Sequence, residues 1–129
     1  MLKEIIIIAC ILVIVIGGNV FTQIYTKRSV ELMNVEIDKL SDKLVKDGVS
    51  PQDMEENYNK IIQIWEERFE ILAYYIEHDE LEKVKTELVV LGANMKVGDY
   101  EKGLEELEKC KFILEHIEQK EECSLMNVF

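Results

Sequence analysis

The sequence predicts an all-α protein, an N-terminal transmembrane helix followed by an antiparallel three- to four-helix bundle. Three observations predict it. An unbroken apolar run opens the chain, apolar residues beyond it recur at spacings of three and four, and short turns marked by glycine or proline separate those stripes. No stretch alternates apolar and polar residues with period two between turns, so no strand is expected. At 129 residues there is room for one compact domain, not two.

The anchor comes first. Residues 5–16 read IIIIACILVIVI, and no charge falls between Glu4 and Lys27. Taken to Ile24, the stretch spans about 30 Å as a helix, enough to cross the hydrocarbon core. A cleaved signal peptide would need small residues at −1 and −3, and a cut after Gly18 leaves Ile16 at −3. The Ile-Ile-Ala-Cys segment ending at Cys10 has too few apolar residues before it for a lipoprotein signal. An uncleaved anchor over residues 1–27, spanning about 5–24, is therefore expected, with the lipid bilayer as its partner. Lys3 lies on one side and Lys27 and Arg28 on the other, while Lys39, Lys43 and Lys46 add charge beyond them. The short N-terminal tail favours a C-terminal domain outside the cytoplasm.

Residues 28–129 are expected to hold the bundle, with helices at about 28–47, 51–77, 79–97 and 99–119. Val30, Met33, Ile37, Leu40 and Leu44 form the first stripe, and the membrane helix is expected to run directly into it. Gly48 ends that helix, Ser50 caps the next, Pro51 suits its first position and Asp53 stands at the capping-box site. Tyr58, Ile62, Trp65, Phe69, Leu72 and Ile76 form the second stripe, expected to be the centre of the core. Asp79 reads as the cap of a third helix built on Leu81, Val84, Leu88, Leu91 and Met95. Gly98 stops it, and Asp99 opens a fourth on Leu104, Leu107, Cys110, Leu114 and Ile117. The run from Glu118 to Glu122 is expected to fray its end.

Charge narrows the partners. The chain carries 15 basic and 26 acidic residues, a net charge of −11. Beyond position 28 the count is 12 against 25. Phosphate backbones are held by clustered Lys and Arg, so nucleic acid is excluded as a partner. Three cysteines are too few for a disulfide scaffold.

Candidate chemistry is sparse. His78 and His116 each follow a glutamate, but Tyr75 and Ile113 stand where a Glu-x-x-His metal motif would need carboxylates. Both histidines read instead as helix-end residues capping carbonyls. No nucleophile elbow, zinc-binding His-Glu-x-x-His, phosphate loop or dinucleotide fingerprint occurs. No catalytic residue, metal or cofactor is expected, and the chain does not read as an enzyme. The acidic runs, including Glu66-Glu67 and Glu77 to Glu82, read as solvated faces. Cys110 sits on an apolar stripe as a buried thiol; the alternative is a bridge to Cys123 if the tail folds back. The segment from Gly98 to Lys102 has the look of a tetratricopeptide turn but no second copy. Leu125, Met126, Val128 and Phe129 put four apolar side chains at the end, a candidate interaction surface that either packs on the bundle or docks another membrane protein.

Trp65, the His78-Asp79-Glu80-Leu81 opening of the third helix, and above all Phe112 to Ile117 running into Leu125 to Phe129 carry a family resemblance. With the early apolar stretch, they make the chain resemble the bacterial family called domain of unknown function 4363. Glu118 stands where that family commonly has proline. The resemblance implies a small, membrane-anchored helical protein of mostly spore-forming Gram-positive bacteria, and so a possible sporulation context. It implies no activity and no site residues. The expected function is a single-pass membrane protein presenting an acidic bundle as an interaction or scaffolding module for another membrane protein. The alternative is an extracytoplasmic bundle sensing a ligand or ion.

Overall fold

The chain turns back three times, and at two of those turns glycine supplies left-handed backbone: φ is +83° at Gly48 and +74° at Gly98. The computed structural model describes residues 1–128, with side chains through Ser124. Its elements are α1 (Leu2–Val45), α2 (Pro51–Leu72), α3 (His78–Lys96) and α4 (Tyr100–Val128). Among the described residues there is no strand.

Helix α1 runs unbroken for 44 residues, about 66 Å, straight through Gly17 and Gly18. Its first half projects beyond the bundle. That half is long and apolar enough to cross a membrane, and none of it is buried against the other helices. Thr26 is the first buried residue, and from there α1 packs on α2 and α4. Helix α3 packs mainly on α4, whereas α2 and α3 touch least. The helices thus form a ring of neighbours in chain order, closed by α4 on α1 and loosest at the α2–α3 seam.

The expected caps form at two turns. The Ser50 hydroxyl accepts from the Asp53 backbone N–H at 3.2 Å, with Pro51 at the first helical position. An Asp99 carboxylate oxygen accepts from the Lys102 N–H at 3.2 Å. The third turn departs from expectation. Helix α2 ends at Leu72, not near 77, because the chain tightens there: Tyr74 and Tyr75 donate to the carbonyls three residues back. Tyr75 then reaches α1, its hydroxyl 2.8 Å from Thr26 Oγ1 and donating to the Thr22 carbonyl at 3.2 Å. Glu77 occupies the N-cap of α3, and Asp79 lies in the first turn, where its charge suits the positive end of the helix.

Helix α4 also runs past its expected end at 119, to Val128. Lys120 explains part of this, pairing with Glu77 at 3.2 Å and lying 4.0 Å from Glu80, so the acidic run is tied to the start of α3. A straight α4 also separates the two cysteines expected as a possible bridge. Cys110 and Cys123 are free, and thirteen residues along one helix put them about 20 Å apart, far beyond disulfide reach.

Three of the four stripes form the core as expected. Ile37, Leu40, Leu81, Val84 and Leu107 are fully buried, and Leu114 and Ile117 nearly so. In α2 the buried face is rotated. Met54, Asn57, Ile61, Trp65 and Leu72 point inward, whereas Tyr58, Ile62 and Phe69 are only partly buried. The cause is the loose seam: α2 leans on α1, which leaves its aromatic edge towards α3 incompletely covered.

Candidate functional site

That uncovered edge forms a groove. Tyr58, Ile62, Trp65 and Phe69 of α2 face Leu88 and Val89 of α3 around a hollow of about 500 Å³. A second hollow of about 570 Å³ continues it past Met54, Met95 and Tyr100, and Tyr58 and Asn59 line both. Glu55, Glu66 and Glu70 stand at its margins with Lys85 and Lys96. Trp65 meets Phe69 edge-on, with ring centroids 6.0 Å apart. One end of the groove is at Pro51 and the other at Phe69 and Glu70, the end from which the apolar half of α1 projects.

Tyr58 is the strut that keeps the seam in register. Its hydroxyl donates to the Leu88 carbonyl at 3.0 Å, and burial pushes its pKa up. Gly92 makes room for it: a Cβ there would stand 2.5 Å from the hydroxyl oxygen and 2.9 Å from ring carbon Cζ. In an ordinary helix Gly→Ala gains up to about 1 kcal/mol. Here Gly92→Ala is expected to destabilise by about 1 kcal/mol, because the displaced ring loses its hydrogen bond. In a Tyr58→Ala background the same change should become stabilising; urea titration of the four proteins of this double-mutant cycle checks the sign.

Two buried polar clusters hold the outer seams, and neither was legible as a pair in the sequence. Between α1 and α2, Glu36 is only 6% exposed. Lys39 and Lys60 reach one carboxylate oxygen at 3.0 and 3.2 Å, and the Asn57 amide donates to the other at 3.3 Å and to the Glu36 carbonyl at 3.2 Å. Burial acts to raise the Glu36 pKa, but the two lysines outweigh it and hold the carboxyl below its usual range. The available signal was Asn57 itself, a polar residue on the helical face of Met54 and Ile61.

Between α3 and α4, the Glu87 carboxyl hydrogen-bonds the Glu106 carboxylate, which also accepts from Lys109 at 3.1 Å. That hydrogen bond, then burial, then the charge of Glu106 raise the Glu87 pKa from 4.5 to about 7, while Lys109 opposes the shift. An acid whose folded pKa is raised stabilises fully below its unfolded value, and that contribution fades as pH rises through about 7. Glu87→Gln keeps a donor to Glu106 without the proton. It is expected to match the wild type near pH 5 and to be about 1 kcal/mol more stable near pH 8, a difference discounted for solvent screening. Thermal melts at the two pH values check it.

The remaining candidates lie apart. Cys110 is 1% exposed, and burial, with the charge of Glu87, pushes its thiol up to about 12, so it packs as an apolar group. His78 is the first residue of α3, not the end of α2, and lies 3.4 Å from the Glu82 carboxylate without capping a carbonyl. His116 is exposed along α4. Among the described residues, no three His, Cys, Asp or Glu side chains are grouped as a metal site would need. The α4 backbone reaches Val128, but the side chains of Leu125, Met126 and Val128, and all of Phe129, lie outside the described residues, so the expected tail surface is neither placed nor displaced.

No curated protein and no solved structure matches the chain. A family match covers residues 20–128, taking in Trp65, the opening of α3 and the terminal block up to Val128, and beginning after the run at 5–16. Since that is most of its length, the chain belongs to the family described as a domain of unknown function (DUF4363).

Proposed function

We propose that this protein is a non-enzymatic, single-pass membrane protein whose acidic bundle binds another membrane protein along the α2–α3 groove. The groove carries the reading. It is apolar around Trp65 and Phe69 and mixed beyond Tyr58, it holds the two largest hollows described, and it runs lengthwise towards the end from which α1 projects. An amphipathic helix leaving the same bilayer would lie along it, its apolar face against Trp65 and Phe69 and its basic flank against Glu55, Glu66 and Glu70. Anchoring in a shared membrane would raise the local concentration of the two partners, which is how a scaffold acts without chemistry.

Photo-crosslinking in native membranes tests this. A benzophenone side chain at Val89, 60% exposed on the groove, should capture one recurring membrane protein, while the same probe at Val35, 53% exposed on α1, should not. Equal capture at both positions, or none at Val89, would count against the groove. A second reading, ligand sensing, is favoured by the hollow's volume, which falls in the range of small-molecule sites. It requires a compound that raises the melting temperature of the detergent-solubilised chain. The bundle is proposed to lie outside the cytoplasm, so Val97→Cys, at a turn residue 79% exposed, should react with an impermeant maleimide in intact cells.

A further inference from the structure

One end of the bundle lies beside the apolar half of α1. The α2–α3 turn carries an uncharged segment, Ile-Leu-Ala-Tyr-Tyr-Ile at residues 71–76, between Glu70 and Glu77. Tyr74 within it is 88% exposed and Ile71 37% exposed. Among the described residues, nothing covers this tyrosine at the tip of the turn.

Its height relative to α1 is fixed by contacts. Tyr75 next to it donates to the Thr22 carbonyl at 3.2 Å, and Arg68 one turn before the end of α2 lies over the Tyr25 ring at 4.9 Å. Because α1 is one continuous helix, position along it converts to height at about 1.5 Å per residue. Thr22 lies before Ile24, the last residue of the apolar span. The Tyr75 hydroxyl also lies 2.8 Å from Thr26 Oγ1, just past Ile24, so the turn stands at the end of the span, where hydrocarbon gives way to headgroups. A second element reaches the same level: Glu118, Glu121 and Glu122 of α4 share a hollow with Gln23, Ile24 and Lys27. From Glu122 the α4 backbone continues six residues to Val128, about 9 Å further in the direction of the span, and residues 123–128 have no charged side chain.

We propose that the α2–α3 turn is a second membrane contact, with Tyr74 seated in the headgroup–acyl boundary of the bilayer that holds α1. Tyrosine suits that layer because its ring is apolar and its hydroxyl can stay hydrated. Glu70 and Glu77 on either side limit the depth to the interface. Two contacts, α1 and this turn, fix the tilt of the bundle as one contact cannot. The groove is then held upright along the membrane normal, where a helix emerging from the same bilayer can meet it. The inference rests on α1 being an anchor.

Spin labels on the full chain in nanodiscs of mixed phosphatidylcholine and phosphatidylglycerol test both claims separately. Cys10 and Cys123 are replaced by serine, Cys110 stays because it is buried, and single labels are placed by Tyr74→Cys, Ile14→Cys and Val97→Cys. Val97, at the opposite end of the bundle, reports water. The ratio of oxygen to water-soluble nickel accessibility at 74 should fall between those at 14 and 97, several-fold above the latter. Ala73→Cys gives a second reading in case the first label perturbs the turn. A lipid-like value at 14 with a water-like value at both 73 and 74 overturns the seating alone. A water-like value at 14 overturns the anchor, and the seating with it.

Discussion

Truncation of Trp65 to alanine is expected to cost the bundle about 3–5 kcal/mol, the usual range for a large aromatic removed from a core. Trp65 is 4% exposed in the core at the inner edge of the groove, so its removal leaves a large void there. Domains of this size are stable by only about 5–15 kcal/mol, so the variant should lie near the edge of folding. Far-ultraviolet circular dichroism during urea titration reads the loss without relying on the missing indole. Phe69→Ala should cost far less, about 1 kcal/mol, because Phe69 is half-covered on the groove. Equal costs for the two would mean that the seam is closed.

That contrast marks where the sequence was legible and where it was not. Stripes in α1, α3 and α4 translate into the core because each of those helices packs on a neighbour along its apolar face. The same pattern in α2 gathered Tyr58, Ile62 and Phe69 with Trp65 as though all four were central. Aromatic spacing reports which residues are apolar, but it cannot report that one seam of the ring is loose. The inward role of Asn57 and the strut formed by Tyr58 over Gly92 depend on contacts across helices, and no periodicity encodes those. Turn chemistry was legible wherever a single residue decides it, as at Gly48, Ser50, Gly98 and Asp99. It misled at the α2–α3 turn, where Tyr75 leaves the helix to reach the Thr22 carbonyl 53 positions away. The end of α4 was hidden for a related reason: Lys120 finds its partners on α3, not within its own helix.

Replacing Asn57 by aspartate is expected to cost about 3–5 kcal/mol at neutral pH, as for a buried charge left without compensation. The amide now donates to both Glu36 Oε2 and the Glu36 carbonyl from a position 6% exposed. Aspartate has the same shape but puts a second negative charge against Glu36 and removes both donated hydrogen bonds. Lys39 and Lys60 already approach the other Glu36 oxygen and cannot neutralise two carboxylates equally. Like charges raise the pKa of the pair, so the folded variant takes up a proton more readily than its unfolded chain. Its deficit relative to wild type should therefore be greatest above about pH 6 and shrink towards about pH 4. Asn57→Ala, which introduces no charge, should lose only about 1–2 kcal/mol and show no such trend. Denaturant titrations of the three proteins across that range separate charge from lost hydrogen bonding.

Whether residues 5–24 remain attached and hold the polypeptide in lipid is decided by one measurement. Native membranes are washed with alkaline carbonate, and the intact mass of the protein is determined in pellet and supernatant. A species that begins at residue 1 and stays in the pellet is the expected result. A freely soluble species whose first residue lies beyond Gly18 would contradict the anchor, the scaffold reading and the seated turn together.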